Sequence, residues 1–276
     1  MKKIVSVQDI SCYGQCSLTV ALPILSAYGI ETAILPSAIL STHTGGFTGF
    51  TVHDLTEEMP AIIEHWKKEG ITYDAIYTGY IGDTRQFSMI SGMRSMLNDG
   101  GLLIVDPAMA DHGKLYPALN QDIVDGMRSI VKEADIILPN LTEASFLLGD
   151  EYKENYNRDE ITSILKRLAD FGPDTVILTG VSYEEGRIGA VAYDKATGSC
   201  EEYFTEKIAR NYHGTGDVFS SVAIADLLNG KSISETLKDS CEFVVKCIQN
   251  TLPDESHGYG VKFESVLAES RGWTKG

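Results

Sequence analysis

Residues 211–221 read NYHGTGDVFSS, in which Gly214, Thr215 and Gly216 precede Asp217. The residues that follow, 218–228, are apolar and rich in small side chains, and this pattern predicts a helix. Glycines allow the backbone to turn several N–H groups toward one point, and a helix N-terminus adds the positive end of its dipole. The stretch therefore predicts an anion hole, a site of the kind that binds phosphate.

Asp217 lies at the mouth of this predicted anion hole, where a negative side chain opposes the binding of an anion. The position suits a carboxylate that takes a proton from a hydroxyl while negative charge develops on a neighbouring phosphoryl group. A purely structural alternative is an aspartate in the first turn of a helix, which stabilises the helix dipole. These residues alone leave both interpretations open.

The composition narrows the choice of ligands. The chain has 276 residues, 43% of them hydrophobic and 22% charged, which is typical of a soluble globular protein. Its formal net charge of -16 disfavours nucleic acid and anionic membrane surfaces as partners, because both require concentrated Lys and Arg. The same charge disfavours a nucleoside triphosphate unless a divalent cation shields it, so a phosphate site in this chain implies Mg²⁺.

The cysteines and the N-terminus indicate the compartment. The five cysteines are odd in number and lack a framework spacing, which predicts reduced thiols in the cytosol. Cys12 and Cys16 have the spacing of half a metal site, but no second pair of ligands follows, so small residues beside a strand end are the simpler interpretation. There is no signal-peptide pattern and no apolar run of membrane-spanning length. We therefore predict a cytoplasmic protein.

The chain alternates short β-branched runs with amphipathic stretches. This order predicts an α/β protein with a central, mostly parallel sheet covered by helices on both faces, in which ligands bind at the carboxyl ends of the strands. No internal repeat or linker divides the chain, so we predict one domain over residues 1–276. The predicted strands are 4–7, 32–35, 75–77, 102–105, 136–138 and 175–178, and the predicted helices are 17–28, 55–68, 87–97, 123–132 and 159–171.

Two segments interrupt this alternation. Residues 37–51 are rich in Ser, Thr, Gly and Phe and predict a short hairpin or a flap over the substrate site. Residues 188–204 predict two strands around a turn at 195–198. The sheet is therefore expected to end in an antiparallel edge.

Polar residues follow several of the predicted strands, and each has an ordinary structural explanation. Asn140 and Glu143 have the spacing of a helix capping box. Tyr80 suits a buried aromatic residue, and Thr44 suits a turn. Because parallel strands end at one edge of the sheet, the occurrence of a polar residue after several strands favours a common site. The residues at strand ends are Asp9, Tyr80, Asp106, Asp111, Asn140, Glu143 and Thr179.

Taken together, these segments resemble the ribokinase superfamily and, within it, the pyridoxal kinases. The resemblance extends over essentially the whole chain, with the motifs in the same order. The Asn-x-x-Glu element and the Gly-Thr-Gly-Asp anion hole mark the superfamily, whereas the flap and the segment around Tyr80 mark the pyridoxal kinase branch. The resembling segments are 6–8 with 13–14, 41–45, 77–82, 106–111, 139–143 and 214–217.

The resemblance implies a ribokinase-like kinase that uses ATP to phosphorylate the 5′-hydroxymethyl group of a B6 vitamer. Asp217 is then the catalytic base, and the amides of Gly214, Thr215 and Gly216 stabilise the charge on the transferred phosphoryl group. The flap is expected to close over the substrate and exclude water. A homodimer, and a monovalent cation such as K⁺, are further expectations from the resemblance.

The resemblance also implies roles for the other strand-end residues. Asp106 and Glu143 hold Mg²⁺ and its waters, with Asn140 beside them and Thr179 at the ATP phosphates or ribose. On the substrate side, Tyr80 lies against the pyridine ring and Thr44 binds its polar edge. The adenine wall is expected around residue 208 and within 241–252.

The sequence departs from the pyridoxal kinase pattern at Asp9, where such kinases commonly carry Ser. An acid there pairs with a protonated ring nitrogen or an aminomethyl cation, which favours pyridoxamine over pyridoxal. His213, before the anion hole, instead resembles the hydroxymethylpyrimidine kinases, and that activity is the main alternative.

Three other classes of protein are disfavoured. A P-loop kinase needs Gly-x-x-x-x-Gly-Lys-Ser/Thr, which is absent from this sequence, and a dinucleotide-binding enzyme needs Gly-x-Gly-x-x-Gly after the first strand. A sugar kinase of the same superfamily is expected to show an early Gly-Gly and Asn-rich segment, and no such segment is found in this sequence. A non-catalytic B6-binding protein remains an alternative, although Asp217, Asn140 and Glu143 are all present.

Overall fold

The computed structural model describes residues 1–117 and 119–272, and its central feature is a nine-stranded sheet. A separate two-stranded hairpin is formed by β6 and β7. The strands are β1 (Lys3–Ser11), β2 (Glu31–Leu40), β3 (Val52–Asp54), β4 (Tyr73–Thr78), β5 (Leu97–Val105), β6 (Ala110–Asp111), β7 (Lys114–Leu115), β8 (Ile136–Ile137), β9 (Thr175–Val181), β10 (Arg187–Asp194) and β11 (Ser199–Glu206).

Helices cover both faces of this sheet. They are α1 (Leu18–Ala27), α2 (Met59–Lys68), α3 (Thr84–Gly92), α4 (Gln121–Val131), α5 (Leu141–Leu148), α6 (Arg158–Phe171), α7 (Thr215–Leu228), α8 (Ile233–Thr251) and α9 (Phe263–Ser270). In the described residues, none of these helices combines the length and the apolar character needed to cross a membrane.

The sheet has the order β11-β10-β9-β8-β5-β4-β1-β2-β3. The strands from β2 to β9 in this order pair in parallel, and β10 and β11 add the antiparallel edge that the sequence predicts. The predicted α/β/α fold is confirmed. The opposite edge is also antiparallel, because the short β3 pairs with β2.

Alternation along the strands separates two cores. Val5 and Val7 of β1 belong to a cluster with α2 to α6, whereas Ile4 belongs to a cluster with α1, α7 and α8. Successive side chains of a strand point to opposite faces, so a strand buried on both faces is apolar throughout. These two cores hold the strand ends, and therefore the polar residues that follow them, at fixed positions.

The segment predicted as a flap begins inside the sheet. Residues 37–40 are the end of β2, where Ile39 and Leu40 pair with β1, and residues 41–51 form the loop that leads to β3. The polar composition of 37–51 conceals this strand extension, because Ser37 is buried in the sheet as if it were apolar. The loop available to cover a substrate is thus 41–51, shorter than predicted.

Candidate active site

The predicted site residues gather at one edge of the sheet. Asp9 lies near the end of β1, and Asp106 follows β5, its N–H donating to the carbonyl of Thr78 at 3.0 Å. Asn140 and Thr179 form an isolated bridge between the ends of β8 and β9. The parallel order of β1, β4, β5, β8 and β9 brings these residues together although they are far apart in the chain.

The Gly-Thr-Gly-Asp stretch forms the start of α7. Gly214 has a φ of 76° and precedes the helix, and a Cβ at this position would lie 1.9 Å from the carbonyl oxygen of Gln15. Only glycine fits here, both for its backbone conformation and for its close contact with the turn at 14–17. The N-terminus of α7, whose first N–H groups have no partner within the helix, lies at the same sheet edge as Asp106, whose charge acts on Asp217 in its first turn.

Asp217 lies in the first turn of α7, as the structural interpretation of the sequence requires, and the charge of Asp106 acts on it. Burial and the charge of Asp106 raise the pKa of Asp217 to about 7. The residue keeps partial access to solvent although protein atoms surround its carboxylate closely. A carboxylate with a pKa near neutrality is suited to accept a proton from a hydroxyl.

Asp106 and Glu143 form a buried pair of acids beside Asp217. Asp106 accepts a hydrogen bond from the Ser220 hydroxyl at 2.7 Å, and burial raises the pKa of Asp106 to about 6. Burial and then the charge of Asp106 raise the pKa of Glu143 well above its ordinary value. Acids that repel one another in a buried position favour a bound cation.

The Asn140–Glu143 element is a capping box as well as part of this edge. The side chain of Asn140 accepts from the Glu143 N–H, and Glu143 accepts from the Asn140 N–H, both at 2.9 Å. The second Glu143 oxygen accepts from the Met109 N–H at 3.1 Å, and the Asn140 amide donates to the Ala110 carbonyl at 2.8 Å. The cap therefore also anchors the loop that follows Asp106.

The donor set fits a hard divalent cation that keeps other ligands. No group of three or more His, Cys, Asp or Glu side chains suited to a metal occurs in the part of the chain that the structure describes. Asp106 uses one oxygen for Ser220, and Glu143 retains lone pairs beyond its two N–H partners. Mg²⁺ prefers one or two carboxylates together with phosphate oxygens and water, and Asp106 and Glu143 are two carboxylates of this kind.

Asp9, a predicted substrate residue, is only 4% exposed. Its carboxylate accepts from the Ser11 hydroxyl at 3.0 Å, and burial raises its pKa. Burial, and after it the charges of Asp9 and Asp54, raise the pKa of Tyr80.

Thr44 lies in the loop 41–51, which packs against the anion hole. His43 accepts from the Gly45 N–H at 3.2 Å and contacts the Tyr259 carbonyl at 2.9 Å, so its Nε2 is the donor to Tyr259. A Cβ on Gly45 would lie 2.4 Å from the ring of His213, the residue before Gly214. The predicted flap therefore rests on both the anion hole and the segment 257–260.

The remaining predicted positions are Thr179 and the adenine wall, both assigned to ATP. Thr179 is half-buried and donates its N–H to the Pro139 carbonyl at 2.9 Å. The predicted adenine positions fall after β11, at residue 208, and in the second half of α8.

The sequence analysis did not identify Ser220 or the segment 257–260 as part of this edge. Ser220 is part of the quoted stretch, but its contact with Asp106 depends on tertiary structure. The sequence HGYG at 257–260, which combines glycines with rings in the manner of the flap, was a signal that could have been used.

Comparisons with known proteins identify a matching family and several similar kinases. The profile of the phosphomethylpyrimidine kinase family matches residues 24–261. A protein from Bacteroides thetaiotaomicron VPI-5482, described as a candidate phosphomethylpyrimidine kinase and crystallised with pyridoxal, is 37% identical, with 97% of this chain and 95% of that chain covered and a TM-score of 0.93.

Two further relatives carry names from B6 metabolism. Pyridoxal kinase from Lactobacillus plantarum is 29% identical, with 98% of this chain and 96% of that chain covered and a TM-score of 0.90. A pyridoxine/pyridoxal/pyridoxamine kinase of Bordetella avium (strain 197N) is 27% identical over 266 residues, which is 90% of this chain and 85% of the relative. These similarities confirm the predicted resemblance to pyridoxal kinases and their ribokinase-like fold.

Proposed function

This chain belongs to the phosphomethylpyrimidine kinase family, and we propose that it is an ATP-dependent kinase that phosphorylates the 5′-hydroxymethyl group of a B6 vitamer. The relative that contains pyridoxal and the kinases named for B6 vitamers support this substrate class. One observation carries the proposal: the N-terminus of α7, with Asp217 in its first turn, lies at the same sheet edge as the buried acids Asp106 and Glu143.

In the proposed reaction, Asp217 accepts the proton of the substrate hydroxyl as the hydroxyl oxygen attacks the terminal phosphoryl group of ATP, whose bond to the bridging oxygen breaks and releases ADP. The N–H groups of Gly214, Thr215 and Gly216, together with the helix dipole, stabilise the negative charge that develops on that group. These N–H dipoles are fixed in the backbone, so they need not reorient as the negative charge develops. Gly214 is required because its contact with Gln15 leaves no room for a side chain.

Asp106 and Glu143 would hold Mg²⁺, which when bound neutralises charge on the ATP phosphates. Asn140 anchors Glu143 through the capping box, and Thr179 is the candidate contact to the ATP phosphates or ribose. Ser220 orients Asp106 through its hydroxyl. The requirement for Mg²⁺ is therefore part of the proposal, as is a supporting monovalent cation such as K⁺.

On the substrate side, Asp9, Tyr80 and Thr44 would bind the pyridine ring. The buried carboxylate of Asp9 favours a positively charged partner, so we expect a preference for pyridoxamine, whose aminomethyl group is a cation, over pyridoxal. The contact of loop 41–51 with His213 supports a role for this loop in covering the reacting groups. A single kinase domain, a homodimer and a cytoplasmic location complete the proposal. The resemblance to pyridoxal kinases supports the homodimer, and the unbroken alternation of strands and helices and the unpaired pattern of cysteines support the other two.

The second candidate is a hydroxymethylpyrimidine kinase. It is favoured by the pyrimidine in the description of the matching family, phosphomethylpyrimidine kinase, and by His213, whose ring packs against His43 of the flap. Both substrates are small heteroaromatic alcohols, so the same phosphoryl-transfer apparatus serves either one.

The test is ATP- and Mg²⁺-dependent phosphorylation of pyridoxal, pyridoxamine, pyridoxine and hydroxymethylpyrimidine, measured side by side, with Asp217→Asn as control. We expect turnover of B6 vitamers that falls by about 10³-fold or more in the variant. Turnover of the pyrimidine alone would assign the chain to the second candidate, and turnover of none would refute both.

A further inference from the structure

His43 belongs to loop 41–51 but packs against segments that are distant from it in the chain. The residue is only 5% exposed. Between ring centroids, its imidazole lies 5.0 Å from Phe47 of the same loop and 5.4 Å from His213. A Cβ on Gly14 would lie 2.2 Å from Cδ2 of His43, so a side chain at position 14 would displace the ring. The imidazole therefore fills a closely fitted space.

The hydrogen bonds of His43 fix the position of its proton. The Gly45 N–H donates to Nδ1 at 3.2 Å, so Nδ1 carries a lone pair. Nε2 lies 2.9 Å from the carbonyl oxygen of Tyr259, which can only accept, so Nε2 carries the hydrogen. Burial is the main reason why the pKa of His43 lies below its ordinary value. The ring is therefore a neutral imidazole that donates at one nitrogen and accepts at the other.

The carbonyl of Tyr259 is itself held by the body of the protein. It accepts a second hydrogen bond from the Gln15 N–H, at 3.1 Å, in the turn after β1. A Cβ on Gly260, whose φ is 148°, would lie 2.5 Å from the Cβ of Gln15. The next residue, Val261, is fully buried in a core cluster with residues of α1, α7 and α8. The acceptor that binds His43 is therefore a fixed point.

Loop 41–51 also meets the residue that precedes the predicted anion hole. A Cβ on Gly45 would lie 2.4 Å from Nδ1 of His213, and His213 is followed by Gly214 at the start of α7. Thr44, the predicted contact to the polar edge of the substrate, lies between His43 and Gly45 in the chain. Fixing the imidazole therefore fixes this part of the loop beside the start of α7.

We propose that His43 is a positioning residue that fixes loop 41–51 over the site of phosphoryl transfer. Its Nε2 hydrogen ties the loop to the Tyr259 carbonyl, and its Nδ1 sets the conformation of the loop through the Gly45 N–H. The inference rests on the proposed function, in which Thr44 binds the substrate ring and the loop excludes water. Without the tie to Tyr259, the loop would open more often, and water would reach the terminal phosphoryl group of ATP.

Two substitutions test the hydrogen bond to Tyr259. His43→Ala removes both the donor and the acceptor, so we expect the KM for the vitamer to rise about tenfold and ATP hydrolysis without vitamer to rise about fivefold. His43→Gln retains an N–H donor at a similar distance from its Cα. We expect this variant to return both values to within about threefold of the parent. The KM for ATP is expected to stay within about twofold in both variants, because the loop is assigned to the substrate.

The matched control is His257→Ala. His257 is also a buried histidine, and its Nε2 also forms a hydrogen bond, at 3.0 Å, but the partner is the Gln15 side chain instead of loop 41–51. We expect a lower Tm in this variant, with the vitamer KM and ATP hydrolysis within about twofold of the parent. An equal rise of the vitamer KM in His43→Ala and His257→Ala, or no recovery in His43→Gln, would overturn the proposal.

Hydrogen exchange of the loop tests the same tie without turnover. We expect the amides of 41–51 to exchange about tenfold faster in His43→Ala than in the parent or in His257→Ala. If His43→Ala does not fold, His43→Asn replaces it, because its shorter side chain can accept from Gly45 but does not reach the Tyr259 carbonyl. The loop is then expected to exchange faster in His43→Asn than in His43→Gln.

Exchange of the loop that is equal in these variants and the parent would overturn the proposal, even if the parent proves inactive. Inactivity of the parent on all four substrates would instead refute the proposed function, and the exchange rates would still decide whether His43 fixes the loop.

Discussion

Two Asn-x-x-Glu elements in this chain have the same local geometry and different surroundings. Asn140 and Glu143 cap α5, and Asn157 and Glu160 cap α6. In both, the asparagine side chain and the glutamate side chain accept from each other's backbone N–H, and all four donor–acceptor distances are 2.9 Å. The motif by itself therefore establishes a helix start and nothing more.

The difference lies in what surrounds each glutamate. Glu160 has a side chain that is 36% exposed and accepts from the Lys153 ammonium at 2.8 Å, and this contact lowers its pKa. Glu143 is only 3% exposed, and burial beside the charge of Asp106 raises its pKa. The same four-residue pattern thus gives a stabilised surface carboxylate in one place and a strained, buried carboxylate in the other. The position of the motif in the sheet determines its chemistry.

The largest effect is expected from replacing each glutamate by glutamine. Glu143→Gln removes one of the two carboxylates proposed to hold Mg²⁺, so we expect kcat/KM for ATP to fall about 10²-fold, with a higher Mg²⁺ requirement. Glu160→Gln, the matched control, is expected to stay within about twofold of the parent. Steady-state kinetics over a range of Mg²⁺ concentrations measures both, and an equal loss in the two variants would show that Glu143 acts only as a cap.

An intermediate effect is expected on stability when each asparagine is replaced by alanine. Loss of an N-cap costs about 1 kcal/mol, which is the expected result for Asn157→Ala. Asn140→Ala also removes the hydrogen bond to the Ala110 carbonyl in a half-buried position, so we expect about 2 kcal/mol. Urea unfolding of the two variants measures both losses in the free energy of unfolding. A larger loss in Asn157→Ala than in Asn140→Ala would contradict the prediction.

The smallest expected effect is a pH dependence of stability at the exposed capping box of Asn157 and Glu160. Because the folded-state pKa of Glu160 is lowered, its ionised form stabilises the protein above its unfolded pKa near 4.5, and this stabilisation is lost as the pH falls through the folded value. We expect the Tm of Glu160→Gln to lie slightly below that of the parent at pH 7 and the difference to disappear as the pH falls through the folded-state pKa of Glu160. A difference that persists at low pH would assign the effect to packing instead of charge.

Much of the fold could be predicted because it depends on local patterns. The period of apolar residues gave the parallel strands and most helices within a few residues, and Gly214 to Asp217 began a helix as expected. Predictions failed where polar and apolar residues do not follow the period of a single helix or strand. The predicted helix 87–97 ends at Gly92 as an α-helix, and Leu97 already belongs to β5. The extension of β2 into the predicted flap was also missed, because polar residues such as Ser37 occupy strand positions there.

The candidate site was predictable in its residue types but not in its contacts. The sequence places acids after strands, and this indicates a shared edge without giving any distance. The hydrogen bond from Ser220 to Asp106 and the contact of His43 with Tyr259 join residues that are distant in the chain, and no local pattern encodes such pairs.

The sequence by itself determined the elements of this protein: the apolar strands, the capped helices and the glycine-framed start of α7. These depend on interactions between residues a few positions apart, which are present in any chain with the same local pattern. The tertiary structure alone decided that Asp9, Asp106 and Glu143 are buried at the shared edge and that Glu160 is not. The physical reason is that burial, and the charge–charge repulsion it strengthens, arise only when the sheet brings distant strand ends together.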